Sequence, residues 1–271
     1  MRLYLAGADS SADHRATMGI KDEAYLVSYW YILKGYGQKV IEYAHGAGLP
    51  LILDSGAFSA LHSGASINLD QYLEYITEHG HKFEKIIALD VIGDWRGSDK
   101  NLDYMIGRGV VPVPVFHTNE PFDYLEVLLR DYDSIGVGVT GSKLRQPQII
   151  AWLIEVFKRR QKIKPDCKVH GLALTSSRIM RFFDWDSCDS STWLAAKKFS
   201  RVFVMRDDNV IQLHRRDWHK IQASDGVPVD ALFAKTGKIE RCFPAMRHNA
   251  EVMLRYVDRI NKVAAKSTLK N

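Results

Sequence analysis

The chain of 271 residues is 46% hydrophobic and 25% charged, values that support one large globular domain with a sizeable core and give no sign of a linker. No apolar run approaches the ~20 residues needed to cross a bilayer, and residues 1–6 are too quickly followed by polar residues to read as a signal peptide. Three widely spaced cysteines, Cys167, Cys188 and Cys242, argue for a reducing, cytoplasmic setting without a disulfide framework, and a net charge of +5 permits a polyanionic partner.

Residues 2–6 predict a first strand, followed by a Gly-Ala-Asp-Ser-Ser loop. Residues 23–35, with Tyr25, Tyr29, Trp30 and Tyr31, predict a helix that packs its aromatics in the core and ends at Gly35. Residues 39–45 predict a short segment, strand or helix. Next comes an apolar run, 51–54, which follows Pro50 and ends in Asp54. A tight turn, Ser55-Gly56-Ala57, leads from it to Phe58. This pattern predicts a buried strand that delivers an acid to the rim of a sheet, beside a turn small enough for a flat ligand to approach. The plainer alternative is that Asp54 caps the helix or turn that follows.

The same grammar then repeats. A helix over 69–78 precedes a strand over 85–89 that ends at Asp90; a helix over 101–108 precedes a strand over 110–116 that ends at His117. A helix over 122–130 leads to a strand over 134–139 containing Gly136 and Gly138. A helix over 148–160, with Pro147 near its start, leads to a strand over 168–172 containing His170 and Gly171. A short helix over 176–183, a short strand over 185–189, another strand over 201–205 and an amphipathic helix over 245–264 complete the chain. Alternation repeated seven or eight times predicts an α/β fold with a parallel sheet, specifically a closed (β/α)8 barrel spanning 1–271 as a single domain. Neither a dinucleotide fingerprint nor a phosphate-cradling loop is present.

In such a barrel the C-terminal strand ends converge on one mouth. Asp54, Asp90, His117, Gly136 with Gly138, His170 with Gly171, and Asp189 would therefore face a common pocket. Each has a bland reading alone, as a cap, a rim histidine or a glycine relieving crowding, but together they recur at one register.

The stretch 169–193 carries His170-Gly171, a short helix and the acid Asp189. With Asp-Ser-Gly-Ala-Phe at 54–58, Ala-Leu-Asp at 88–90 and Gly-Val-Gly at 136–138, it resembles the tRNA-guanine transglycosylase family. The resemblance is closer to the small phage-type relatives that act on DNA guanine, and it covers about half the chain. It implies that Asp189 is the nucleophile at C1′ and that Asp54 is the general acid/base. Asp186, three residues earlier, is the weaker nucleophile candidate. The same resemblance makes Phe58 and His170 the stacking walls for the purine, and Asp90 the acceptor for its N1–H and 2-amino edge. His117 stands where the family commonly has a glutamine that reads O6, and Ser55 with the Gly136–Gly138 backbone would complete base recognition. Independently, exchange at C1′ needs a carboxylate nucleophile, a second carboxyl to shuttle protons and an aromatic slot for an unstacked base.

The family's Cys-x-Cys-x-x-Cys and His zinc site has no counterpart, since Cys242 and His248 stand alone; no cofactor is expected. Basic residues after Asp189, including Lys197, Lys198, Arg215 and Arg216, are expected to contact phosphates, and the run over 158–168 offers another cluster. Trp193 and Trp218 are read chiefly as core residues. The expected partners are nucleic acid, DNA rather than tRNA, and a free 7-deazaguanine base such as preQ0, with no membrane. Readings as a tRNA enzyme, a base N-glycosidase, or an inactive nucleic-acid-binding subunit stay open, as does self-association.

Overall fold

The computed structural model describes residues 1–9, 13–139, 144–227 and 242–268. Eight strands lie parallel: β1 (Arg2–Ala6), β2 (Tyr25–Ser28), β3 (Leu51–Asp54), β4 (Lys85–Ile86), β5 (Val115–His117), β6 (Ser134–Gly138), β7 (Lys168–Leu172) and β8 (Ser187–Ser190). They run in the order β4-β3-β2-β1-β8-β7-β6-β5. A parallel bridge between Ile87 and Val113 joins the two ends. It is held by Ala88 N–H on the Val113 carbonyl at 2.9 Å and Val113 N–H on the Ile86 carbonyl at 2.7 Å. The sheet therefore closes into the (β/α)8 barrel that the alternation predicts.

Helices fill most of the crossovers: α1 (Tyr29–Ile32), α2 (Gln38–Gly46), α3 (Ala57–His62), α4 (Leu69–His79), α5 (Trp95–Gly107), α6 (Phe122–Asp131), α7 (Gln146–Ile163), α8 (Ser177–Phe182) and α9 (Ala195–Phe199). The two-residue period of each strand divides its side chains between two cores. Leu3, Leu5, Tyr25, Val27, Leu51, Leu53, Phe116, Val137 and Val169 belong to the cluster shared with the helices. Tyr4, Ala6, Leu26, Ile52, Ile87, Val113 and Val115 form a smaller cluster inside the barrel. The same alternation assigns Ser28, Asp54, His117, Gly138, His170 and Asp189 to the inner side.

Three elements differ from expectation. Residues 23–35 supply β2 and only then the short α1, because Tyr25–Ser28 pairs in register with Leu51–Asp54 between β1 and β3. The predicted strand over 201–205 is real but lies outside the barrel: β9 (Arg201–Arg206) pairs antiparallel with β10 (Asn209–His214). The eighth barrel strand is thus β2. Residues 110–116 contribute only the Val113 bridge and β5, since Pro112 and Pro114 carry no N–H for the ladder. The ambiguous segment 39–45 is helical, as α2.

The chain closes with α10 (Phe243–Thr268), which packs Met246, Ala250, Met253, Leu254 and Val257 into the main core. Buried Asn249 ties it to the hairpin and the barrel. Its Oδ1 accepts from Phe203 N–H at 2.8 Å, and its Nδ2 donates to the carbonyls of Arg201 at 3.1 Å and Trp193 at 3.3 Å. No helix among the described residues is long and apolar enough to cross a membrane.

Candidate active site

At the C-terminal end of the strands lies a cavity of about 360 Å³. Its lining includes Asp54, Phe58, Asp90, His117, Gly138 and Asp189. Residues from five strand ends or the turns beyond them therefore meet in one space, because parallel strands of a closed barrel all finish on the same side.

Asp54 is the last residue of β3, and its Oδ2 accepts Gly56 N–H at 3.0 Å. Gly56 adopts φ +80°, and a Cβ there would sit 2.6 Å from Ser28 Oγ and 2.6 Å from Trp30 Cβ. Glycine is thus required for both the backbone angle and the space. Burial pushes the Asp54 carboxyl up to about 7, with the negative charges of Asp90 and Asp189 adding to the effect and the Gly56 N–H opposing it. A carboxyl held there exchanges protons near neutral pH.

Asp189 ends on the inner side of β8 and is buried. Its Oδ1 accepts Ala173 N–H at 3.0 Å and faces His170 Nε2 at 3.3 Å. Ala173 has φ +55°, a left-handed angle that an alanine adopts only when the surroundings demand it. Two donors therefore immobilise one carboxylate oxygen, while Oδ2 has no hydrogen bond among the described residues. Preorganisation of this kind suits a nucleophile.

His117 Nε2 lies 2.5 Å from Asp90 Oδ2. Burial works to lower the His117 pKa, but the hydrogen bond and charge of Asp90 outweigh it, so the imidazole titrates above its ordinary value. Glu120 accepts His117 N–H at 2.7 Å, and its own carboxyl is raised to about 6, mainly by burial. Phe58, in the first turn of α3, is 47% exposed and lines the cavity, with its ring 4.1 Å from that of His62.

Other expected site residues fall elsewhere. His170 is no stacking wall: it is fully buried, with Nδ1 2.8 Å from Ser187 Oγ and Nε2 on Asp189, because an even position on β7 turns it into the barrel beneath the pocket. Gly136 lies deeper along β6, where a Cβ would meet Val115 Cγ2 at 3.2 Å. Ser55 is buried in the turn, outside the cavity lining. Asp186 accepts Val169 N–H at 2.7 Å just before β8, at the opposite end from the mouth, so the strand's register removes it as a nucleophile.

Among the expected phosphate contacts, Lys198 lines the cavity. Lys197 does not: its Nζ is bound to buried Asp13, at 2.7 Å and 3.0 Å from the two carboxylate oxygens. Arg216 is exposed on the 3-10 turn Arg215–Lys220, with Nε 3.7 Å from Asp217, and the Arg215 side chain lies outside the described residues. The basic run over 158–168 is largely matched by acids, with Arg159 and Lys158 on Glu155, Arg160 on Asp184 and Lys164 on Asp133. Trp193 is a core residue, its Nε1 donating to the Ala6 carbonyl at 2.9 Å.

One acid had gone unassigned. Asp9, just beyond β1, is buried, lines the cavity and accepts Ser28 N–H at 2.9 Å. Its signal is weaker than that of the others, since it stands in the turn beyond β1 rather than closing the apolar run. Four carboxylates, Asp9, Asp54, Asp90 and Asp189, therefore share the pocket. Among the described residues no group of three or more His, Cys, Asp or Glu side chains is placed to hold a metal ion.

No protein-family model and no curated protein matches the chain. Solved structures that resemble it include a tryptophan synthase complex from Pyrococcus furiosus, with a TM-score of 0.46 and 11% identity over 73% of this chain and 89% of that one. Tryptophan synthase from M. tuberculosis gives 0.47 and 10% over 93% of both chains. A structure from Aquifex aeolicus VF5 gives 0.45 and 13% over 73% and 86%. Similarities this distant carry no chemistry to this chain; its site stands on its own residues.

Proposed function

We propose that the chain is an enzyme that exchanges guanine in a polynucleotide, DNA in preference to tRNA, for a 7-deazaguanine base such as preQ0. The observation that carries this reading is one pocket holding two carboxyls in different states: Asp54 raised to about 7, and Asp189 anchored through one oxygen by Ala173 and His170. Two carboxyls in distinct environments are what base exchange at an anomeric carbon requires.

In the first half-reaction an Asp189 oxygen forms a bond to C1′ as the C1′–N9 bond breaks. The electron pair leaves with the guanine, which takes the proton of neutral Asp54 at a ring nitrogen. In the second half, the incoming base gives a ring N–H proton to the Asp54 carboxylate and its nitrogen attacks C1′. The C1′–O bond then breaks, restoring the Asp189 carboxylate. Two inversions give retention. Phe58 offers an exposed ring for one face of the flipped purine. His117 holds Asp90 Oδ2, which leaves Oδ1 to accept from the guanine N1–H and 2-amino edge.

The test is covalent trapping. Protein is incubated with guanine-containing DNA or tRNA and preQ0, denatured, and examined for a protein–nucleic acid adduct. An adduct on DNA that is lost in Asp189→Asn, with the new base recovered in the polymer, is expected. Absence of adduct and exchange on both polymers overturns the reading; abasic product without incorporation points instead to a base N-glycosidase.

A further inference from the structure

Ser28 closes β2 and lines the catalytic cavity, yet its hydroxyl is idle. Only 6% of the residue is exposed, its oxygen is shut off from solvent, and Oγ has no hydrogen-bond partner among the described residues. Ser28 also stands at the N-cap of α1, where a serine oxygen commonly accepts a backbone N–H of the first turn, and here it makes no such bond. Its backbone N–H goes to Asp9 Oδ2. A buried hydroxyl left out of the cap and of every other contact is costly unless another state of the protein employs it.

Asp54 is the neighbour placed to use it. Ser28 and Asp54 are register partners on adjacent parallel strands, which lie about 4.8 Å apart, and both line the same cavity. Gly56 ties them more closely: its N–H is held by Asp54 Oδ2, and the site of its missing Cβ is 2.6 Å from Ser28 Oγ. That N–H is the one hydrogen bond to Asp54 among the described residues. One donor suits a neutral carboxyl. It is too few for a carboxylate that faces Asp90 beyond β4, Asp189 on β8 and Asp9 beyond β1. Other donors nearby do not serve it. Tyr72 of α4 donates to the Ile87 carbonyl, and His117 of β5 is held on Asp90. Lys198, from α9, and Tyr31, from α1, line the cavity without a hydrogen bond to Asp54.

We propose that Asp54 recruits the Ser28 hydroxyl each time it ionises, so that Ser28 is a positioning residue for the acid/base step. A turn about the serine Cα–Cβ bond carries Oγ from one staggered well to another. From there the O–H donates to the carboxylate once its proton has gone to the departing guanine, and it is released when the incoming base returns a proton. Serine keeps its own proton throughout, and no covalent bond forms to it. The role in base exchange rests on the reading above, whereas the coupling of Ser28 to Asp54 belongs to the free protein.

The test is a pH titration of the free protein, with the Asp54 side-chain carboxyl followed by carbon NMR and assigned by its loss in Asp54→Asn. Ser28→Ala removes a donor to the charged form, so it is expected to raise the Asp54 midpoint by about one pH unit, while Tyr31→Phe leaves the midpoint in place. A packing role for Ser28 would not move it. Because the hydroxyl is idle while Asp54 is neutral, Ser28→Ala should match or exceed the wild type in urea melts at about pH 5 and fall below it at about pH 8. An Asp54 midpoint unmoved in Ser28→Ala, or moved as far by Tyr31→Phe, overturns the proposal. Covalent trapping is assayed separately on the wild type. Trapping with an unmoved midpoint removes the Ser28 role and keeps the base-exchange reading, whereas a moved midpoint without trapping on either polymer does the reverse.

Discussion

Asp54 and Asp189 belong to the same residue type at the same kind of strand end, yet their surroundings differ. Asp54 is raised to about 7 by burial and neighbouring charge, so its neutral fraction falls as pH rises through that value. The single-turnover rate of adduct formation, which uses the neutral acid, is therefore expected to decline above about pH 7, and Asp54→Asn should flatten that profile as it lowers the rate. The folded protein holds this proton more tightly than the unfolded chain, so stability is expected to fall with rising pH between about 4 and 7 and to level off above. At pH 8 Asp54→Asn should consequently be more stable than wild type, by on the order of 2–4 kcal/mol as an upper bound, readable from urea melts at several pH values. In the proposed reaction His170 acts through Asp189 and is a positioning residue. His170→Leu removes a donor to Oδ1 and should slow trapping roughly 10-fold or more. His170→Gln, which keeps a donor, should recover part of the rate with little change in KM.

Elements set these residues in place through a few contacts that a single atom can spoil. The turn between β3 and α3 works only because Gly56 takes a left-handed angle against Ser28 and Trp30. Gly56→Ala should cost ~2–4 kcal/mol, combining backbone strain with overpacking, and should also disturb the N–H held by Asp54. Far from the pocket, Asn249 serves three backbone groups of the hairpin and of the turn after β8. Asn249→Ala leaves them buried and unpaired, and a loss of ~2–4 kcal/mol in chemical denaturation is expected. Both substitutions test placement rather than chemistry, so activity per folded molecule should fall more for Gly56→Ala, which adjoins Asp54.

At the scale of the whole molecule, closure is the organising event. The Ile87–Val113 bridge brings the β4 and β5 ends together, and with them Asp90 and His117, which meet across that seam. Tyr72 supports it from α4 by donating to the Ile87 carbonyl at 2.9 Å. The far end of the chain contributes as well: α10 buries Met246, Ala250, Met253, Leu254 and Val257 against the main core. Truncation before Phe243 is expected to expose that core surface and abolish cooperative unfolding, as seen by circular dichroism and a rise in dye binding. The net charge of +5 makes any polynucleotide affinity salt-dependent, and on α7 Arg159 and Arg160 are already paired with Glu155 and Asp184.

The sequence by itself determined the alternation of strands and helices, the barrel it implies, and most of the strand-end register. Asp54, Asp90, His117 and Asp189 were legible because an acid or imidazole closing an apolar run is a local pattern. What the alternation misassigned was β2, whose aromatic run suits a helix until pairing with β1 and β3 decides otherwise, and β9, which pairs only with its own hairpin partner. Only the tertiary structure decided which way each polar side chain is used. His170 is turned inward by the two-residue period to hold Asp189 from beneath, Lys197 is committed to Asp13, and Asp9 joins a pocket that its own loop did not announce. Those outcomes depend on contacts between residues far apart in the chain, with Lys197 and Asp13 separated by 184 positions. Local pattern can supply a residue type at a strand end, but partnership across the barrel is settled by closure.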